Sequence, residues 1–323
     1  MRRFLLRAVP IGALISLAAI ALRPGAAHGQ IFVANEDSPG NSESIVKFTA
    51  AGWTTLVGGL NQPTGIAVSG PDMFVASFTG GTVSEYTTSG QTVNASLISL
   101  PPSNLSSIDS MTMSGSNLFL TTQNVVAEYT KSGALVNSSL ISGLNNAGQI
   151  TASGSNLYIL SQTPYTISGT ISEYTTSGKF VNSFLIPRTD LTESFAVSGS
   201  DVFLNSEGLG PDAPGTVSEY TTSGATVNAS LITGLSGGGS IAVSGNDLFV
   251  STGVNGVWNI DEYSKSGDFQ NVTLDQGLYL PGPILVQNNP FAPIPLPPAA
   301  WSALGTIGLI GLVGSLRARK RTA

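Results

Sequence analysis

The chain has no cysteine among its 323 residues, which excludes a disulfide framework, a Cys-ligated metal and a thiol nucleophile. Its one histidine, His28, falls just before an expected signal-cleavage point. Cleavage there leaves a mature chain without the commonest general base and the commonest zinc ligand. Charge is scarce as well: 10% of residues are Asp, Glu, Lys or Arg, against about 25% in an ordinary soluble domain. Phosphate-binding Gly loops, EF-hand loops and HExxH are all absent. What abounds is Gly, Ser, Thr and Asn, the profile of a turn-rich β protein.

The two ends differ from the body. Residues 1–29 read as a secretory signal: Arg2, Arg3 and Arg7 give the positive start, "IGALISLAAIAL" the apolar core and "AHG" the small-x-small cleavage site before Gln30. The Arg2–Arg3 pair also occurs in twin-arginine signals, but its flanking residues fit that signal poorly. A Pro-rich linker, 290–298, leads into an uncharged apolar stretch, 299–316, of about the length that crosses a bilayer core as a transmembrane helix. The basic tail 317–323 follows at once and predicts a cytoplasmic C-terminus with the body outside.

Signal and tail each take four of the 13 basic residues. The body keeps five against all 19 acidic ones, a net charge of −14. Such a surface repels nucleic acid and anionic lipid and suits a neutral or cationic partner.

An internal repeat organises the body. "GTVSEYTTSGQTVNASLI" (81–98) returns as "GTVSEYTTSGATVNASLI" (215–232), and Glu-Tyr pairs end at Tyr86, Tyr129, Tyr174, Tyr220 and Tyr263, spaced 43, 45, 46 and 43 residues apart. Residues 65–98 serve as the type unit, with strand A "GIAVS", B "MFVASF", C "TVSEYT" and D "TVNASLI". Four strands per 40–50 residues is the spacing of a propeller blade. The body opens at "IFVANE", which matches a strand B, so the first blade lacks strand A. At the far end "PGPILVQNN" (281–289) is a strand A without a blade. We therefore expect an all-β, six-bladed β-propeller of four-stranded blades over 30–289, with Ile284, Leu285 and Val286 pairing with the N-terminal strand B to close the ring. An open solenoid of the same units would need capping repeats, which the sequence does not show.

Two resemblances rest on quoted residues. "QPTGIAVSGPDMFVAS…TVSEYTTSG" resembles the NHL-type repeat, which implies the propeller fold over about 31–289 and says little about activity. "IPLPPAAWSALGTIGLIGLVGSLRARKR" resembles the VPLPA variant of the PEP-CTERM sorting tail of Gram-negative bacteria. Here Ile294, Pro295, Leu296, Pro297 and Pro298 stand for VPLPA, departing from it by an extra proline. The resemblance implies processing by an exosortase-like enzyme and delivery to the cell surface or extracellular matrix, with membrane anchoring by the C-terminal helix until then. A plain C-terminal anchor is the competing reading.

Alternating strands put the short, constant A–B and C–D turns on one face and the variable B–C and D–A loops on the other. Variable loops on a rigid ring are where ligands bind. On that face Phe78, Tyr165 and Trp258 offer stacking area, and Arg188, Asp190, Glu193, Glu207 and Asp212 polarity; ordinary solvated loops are the equal alternative. Glu85, Glu128, Glu173, Glu219 and Glu262 recur in strand C, too far from the axis to converge, and read as structural. Lys131, Lys179 and Lys265 read as solvated hairpin tips. Asn-x-Ser/Thr recurs at Asn94, Asn137, Asn228 and Asn271 as a formal glycan acceptor or an incidental match. Asp109 and Asn146, near the start of strand A, look too scattered to hold an axial metal.

The reading with most support is a secreted, surface-sorted binding, adhesion or matrix protein, non-enzymatic, needing no cofactor, with extracellular polysaccharide or surface proteins as partners and no nucleic acid. The alternative is a periplasmic or extracellular propeller hydrolase or lyase with an axial divalent metal.

Overall fold

The computed structural model describes residues 30–35, 43–49, 52–101, 107–162, 169–185, 191–208, 214–254, 257–278 and 281–287, all within one compact unit, Gly29–Pro290. The signal, the apolar stretch 299–316, the basic tail and the sorting residues Ile294, Pro295, Leu296, Pro297 and Pro298 lie outside them. Among the described residues no helix is long and apolar enough to cross a membrane.

The described strands form six antiparallel sheets of four. The second sheet is the type: β4 (Pro63–Ser69), β5 (Asp72–Ser77), β6 (Thr82–Thr87) and β7 (Thr92–Ser99), in that order from inside to outside. The third runs β8 (Ser110–Ser114), β9 (Asn117–Thr122), β10 (Val125–Thr130), β11 (Leu135–Ser142). The fourth runs β12 (Ala147–Ser153), β13 (Asn156–Gln162), β14 (Gly169–Thr175), β15 (Phe180–Leu185). The fifth runs β16 (Leu191–Ser198), β17 (Asp201–Glu207), β18 (Gly215–Thr221), β19 (Thr226–Leu235), and the sixth β20 (Ile241–Ser244), β21 (Asp247–Val254), β22 (Val257–Ser264), β23 (Phe269–Leu278). In the first sheet β1 (Gln30–Asn35), β2 (Glu43–Thr49) and β3 (Gly52–Leu60) are joined by the last strand, β24 (Pro281–Gln287). There Ile31 stands opposite Val286, Phe32 opposite Leu285 and Val33 opposite Ile284. The architecture is a six-bladed β-propeller.

Position within the blade decides the composition of each strand. The second strand is covered on both faces by neighbouring sheets, so β5 reads Met-Phe-Val-Ala without alternation and is buried throughout that run. The outermost strand has one wet edge; β7 is exposed over Thr92–Ser96 and tucks in only Ile98. The aromatic of each second strand points into the next seam. Phe32, Phe74, Phe119, Tyr158, Phe203 and Phe249 each belong to a different one of six apolar clusters, and each cluster joins two adjacent sheets, including the sixth to the first. Full burial of such a side chain stabilises by about 1.5–3 kcal/mol.

The turns divide between the two ends as the strand alternation requires. On one end the third-to-fourth-strand turns of the second to sixth sheets donate a backbone N–H to the preceding hairpin, as Thr88 to Pro71 O and Lys131 to Ser116 O, both 2.8 Å. On the other, Phe78 N–H donates to Gln62 O (2.8 Å) and Gly253 N–H to Ser236 O (2.6 Å).

The repeated Thr-x-Ser-Gly forms one hairpin. Thr87 Oγ1 accepts from Gln91 N–H at 3.0 Å and lies 2.8 Å from Ser89 Oγ, and the same contacts recur at Thr130, Thr175 and Thr221. The repeated Glu is satisfied locally where its contacts are described. Glu128 accepts from Asn117 Nδ2 (2.6 Å), and Glu173 from Asn156 Nδ2 (2.6 Å) and Tyr158 OH (2.9 Å). Two lysines do more than solvate a hairpin tip. Lys131 pairs with Asp72 of the preceding sheet at 2.6 Å, and Lys265 donates to Ser198 Oγ at 2.6 Å while lying over the Phe203 ring. The long side chain reaches back because each hairpin tip overlaps the sheet before it.

Candidate functional site: the axial cavity

The six innermost strands surround a cavity of ≈ 510 Å³. Its wall is built at one aligned position, the residue before the apolar run of each inner strand: Gly65, Ser110, Gln149, Ser194, Ser240 and Pro283. Four of these reach the next sheet. Ser110 Oγ accepts from Ile150 N–H, Ser194 Oγ from Ile241 N–H and Ser240 Oγ from Ile284 N–H, each at 3.3 Å. Gln149 binds both sides of one peptide, accepting from Phe195 N–H (2.8 Å) and donating to Phe195 O (2.9 Å). At the Gly65 junction there is no room for such a bridge, since a Cβ there would stand 2.8 Å from Met111 Cβ. Inner strands of adjacent blades do not pair as a ladder, so their facing N–H groups need side-chain acceptors, and Ser and Gln supply them.

The lining mixes apolar residues such as Ile66, Met111 and Phe195 with these hydroxyl and amide groups, and holds one carboxylate among the described side chains that line the cavity. Asp109 precedes β8, fixed by its N–H to Thr121 O at 2.9 Å. Its Oδ2 is buried without a hydrogen-bond partner, and burial raises its pKa to about 6. Thr64, aligned with Asp109, spends its hydroxyl on Ile108 O at 2.7 Å. Such a cavity offers a polar ligand several hydroxyl groups and one acceptor able to take up a proton near neutral pH.

The residues singled out on the variable-loop end are dispersed. Phe78 is an exposed side chain in the β5–β6 turn, and Glu207 ends β17. Trp258 is the second residue of β22, half-buried against the cluster between the sixth and first sheets. Glu193 falls within β16 rather than in a loop, because a bulge between Thr192 and Ser194 extends pairing as far as Leu191 opposite Glu207; its side chain lies outside the described ones. Tyr165, Arg188, Asp190 and Asp212 also lie outside the described residues. Asn146, with φ 47°, turns the chain before β12. Among the described residues no group of three or more His, Cys, Asp or Glu converges to hold a metal ion.

No family model matches the chain and no curated protein matches it. Solved structures do. A chain of the nidogen/laminin complex is similar at TM-score 0.60 and 10% identity, covering 80% of this chain and 97% of that one. The likeness is one of fold. TolB from Acinetobacter baumannii follows at TM-score 0.56 and 13% identity, over 79% of this chain and 67% of that one. A protein of unknown function from Bacteroides caccae has TM-score 0.57 and 13% identity, over 81% and 100%. At these identities the shared propeller carries no ligand or activity from one chain to another.

Proposed function

We propose that this propeller is a secreted, surface-sorted, non-enzymatic binding protein of the extracellular matrix, sorted by an exosortase-like enzyme through its C-terminal tail. Polysaccharide is the ligand class its cavity suits best. The observation that carries the reading is the use of the repeated residues. The Thr-x-Ser-Gly hairpin and the Glu-Asn contacts serve the sheets themselves, which leaves ligand contact to the variable end and to a cavity lined by hydroxyl and amide groups around Asp109. Neutral sugars present many hydroxyl groups, and a site of this lining pairs with them without burying an unmatched charge. In this reading β24 closes the ring by completing the first sheet, which holds the cavity walls in register.

Titration of the mature protein with oligosaccharides from its own matrix tests the reading. Asp109→Asn and Ser240→Ala should weaken binding about tenfold or more while the fold is retained. Absence of binding by the wild type, together with turnover of a lactone or ester that is lost on chelation, would favour the hydrolase with an axial metal instead.

A further inference from the structure

The seam between the fifth and sixth sheets is apolar over most of its length and polar at one end. Phe203 and Val217 on one side and Leu248 and Val250 on the other fill the apolar part. Strand alternation fixes what comes next. Asn205 follows Phe203 by two residues and stands opposite Val217, so it faces the seam. Asp261 stands opposite Val250 and Asn259 opposite Thr252, so these three face the seam from the sixth sheet. All four lie toward the variable-loop end of their strands.

This end contains three of the described buried oxygens that have no hydrogen-bond partner: Asn205 Oδ1, Asn259 Oδ1 and Asp261 Oδ1. Asn205 is fully buried, and its orientation is set because Nδ2 donates to Gly239 O across the seam at 2.9 Å. Its Oδ1 is the atom left over, on the same seam as the free oxygens of Asn259 and Asp261. Asp261 uses its other oxygen to accept from Thr252 Oγ1 at 2.9 Å. Each of these three oxygens, left without a donor, forfeits its hydration on folding. One hard cation answers all three at once, since calcium takes six to eight oxygens from carboxylates, amide and backbone carbonyls and waters.

We propose that this seam holds a calcium ion, bound by Asp261, Asn259 and Asn205, which ties the fifth sheet to the sixth. The site is separate from the axial cavity and stands whether or not the cavity binds sugar. Glu207, two residues after Asn205 on β17, shares its seam-facing side and adds negative charge at that end of the strand.

The test is calcium dependence of the mature protein. Affinity on the order of 10⁻⁴–10⁻³ M is usual for extracellular calcium modules. Saturating calcium should therefore raise Tm by about 5–10 °C over chelator-treated protein, with about one calcium retained per chain by equilibrium dialysis and elemental analysis. Asp261→Asn should abolish most of that rise, and Asp109→Asn should leave it whole. If Asp261→Asn does not fold, the dialysis stoichiometry and an anomalous calcium peak between Asn205 and Asp261 in crystals of the wild type decide the matter. No Tm rise with calcium, a rise lost in Asp109→Asn instead, or an ordered water at the seam in calcium-soaked crystals would overturn the assignment.

Discussion

An ideal Cβ on Gly133, in the β10–β11 turn, would stand 2.5 Å from the carbonyl oxygen of Leu97, on the outer strand of the preceding sheet. The same docking recurs round the propeller. Gly178 meets Leu140 O at 2.5 Å and Gly224 meets Phe184 Cβ at 2.5 Å, while Gly90 and Gly267 abut Leu56 and Leu231. The glycine of the repeated hairpin is thus an inter-blade contact, which accounts for a motif that returns nearly unchanged after more than a hundred residues. Turn conformation alone would explain a glycine there, but not the leucine or phenylalanine at the matching place in the blade before.

Two glycines of the third sheet separate these causes. Gly115 (φ 59°) and Gly133 (φ 84°) both adopt left-handed conformations, yet a Cβ on Gly115 meets nothing within 4 Å. Gly115→Ala should therefore show only the conformational penalty, about 1–2 kcal/mol. Gly133→Ala must in addition push backbone from backbone and should lose about 2–4 kcal/mol. Urea melts of the two variants measure the difference, and equal losses would show that the docking contact contributes nothing.

Gln149 should matter out of proportion to its modest burial. Its amide is the only described contact joining the inner strands of the fourth and fifth sheets through both a donor and an acceptor, and Ser194 Oγ donates to the same Oε1 at 3.1 Å. Gln149→Ala leaves the Phe195 peptide groups without partners beside the cavity and should destabilise by about 2–3 kcal/mol. Gln91→Ala, at an exposed position in a hairpin turn, should stay within about 0.5 kcal/mol. Thermal unfolding of both variants checks the contrast.

The Asp109 carboxyl gives stability a pH dependence of definite sign. Its folded-state pKa is raised from 3.8 to about 6 by burial, so the folded protein holds a proton that the unfolded chain has released. The associated stability is fully present below pH 3.8 and is lost as pH rises through about 6. Asp109→Asn removes the titration. The difference in Tm between the variant and the wild type should be flat below about pH 4, grow in favour of the variant up to about pH 7, and level off there. A difference independent of pH would mean that Asp109 does not meet the buried environment described.

Lys131 and Asp72 should contribute little despite their 2.6 Å separation, because their side chains are 38% and 24% exposed. A double-mutant cycle on Lys131→Met and Asp72→Asn should give a coupling of about 0–1 kcal/mol, shrinking in high salt. A larger coupling would make the ion pair a main tie between the second and third sheets.

The blade and its strands were legible in the sequence because they repeat, and repetition turns a weak period-two signal into an alignment. The strand lacking a partner at each end, "IFVANE" and "PGPILVQNN", pointed to their pairing for the same reason. What the alignment hid was the function of its polar columns. Gly65, Ser110, Gln149, Ser194, Ser240 and Pro283 occupy one column of mixed composition, which looks like drift until the column is seen to face the next blade. Asp109 looked scattered because its neighbours in the cavity come from other repeats, about 40 residues away or more. The polar end of the fifth seam is hidden too, since Asn205, Asn259 and Asp261 come to face one seam only through alternation on two different sheets.

The Asn-x-Ser of the outer strands offers a last separation, between a glycan acceptor and a bulge. Opposite Ser84 the outer strand carries extra residues: Glu85 pairs with Asn94, but Val83 pairs with Ile98. Asn94 Oδ1 accepts from Ser96 N–H at 3.0 Å and Ser84 Oγ donates to Ala95 O at 2.7 Å, which satisfies groups the bulge takes out of the ladder. Asn137 and Asn228 make the same turn with Ser139 and Ser230, at 3.0 Å each. The asparagine is thus tied to a structural task through its own side chain, whereas the serine contributes only its backbone N–H. Asn94→Ala should cost about 1 kcal/mol, while Ser96→Ala, which also destroys the acceptor motif, should leave stability within about 0.5 kcal/mol. If the motif exists for the bulge alone, the intact mass of the secreted Ser96→Ala protein should differ from the wild type by one oxygen atom. A larger deficit would show that Asn94 carries sugar as well, and that the exposed outer strand is a modified surface.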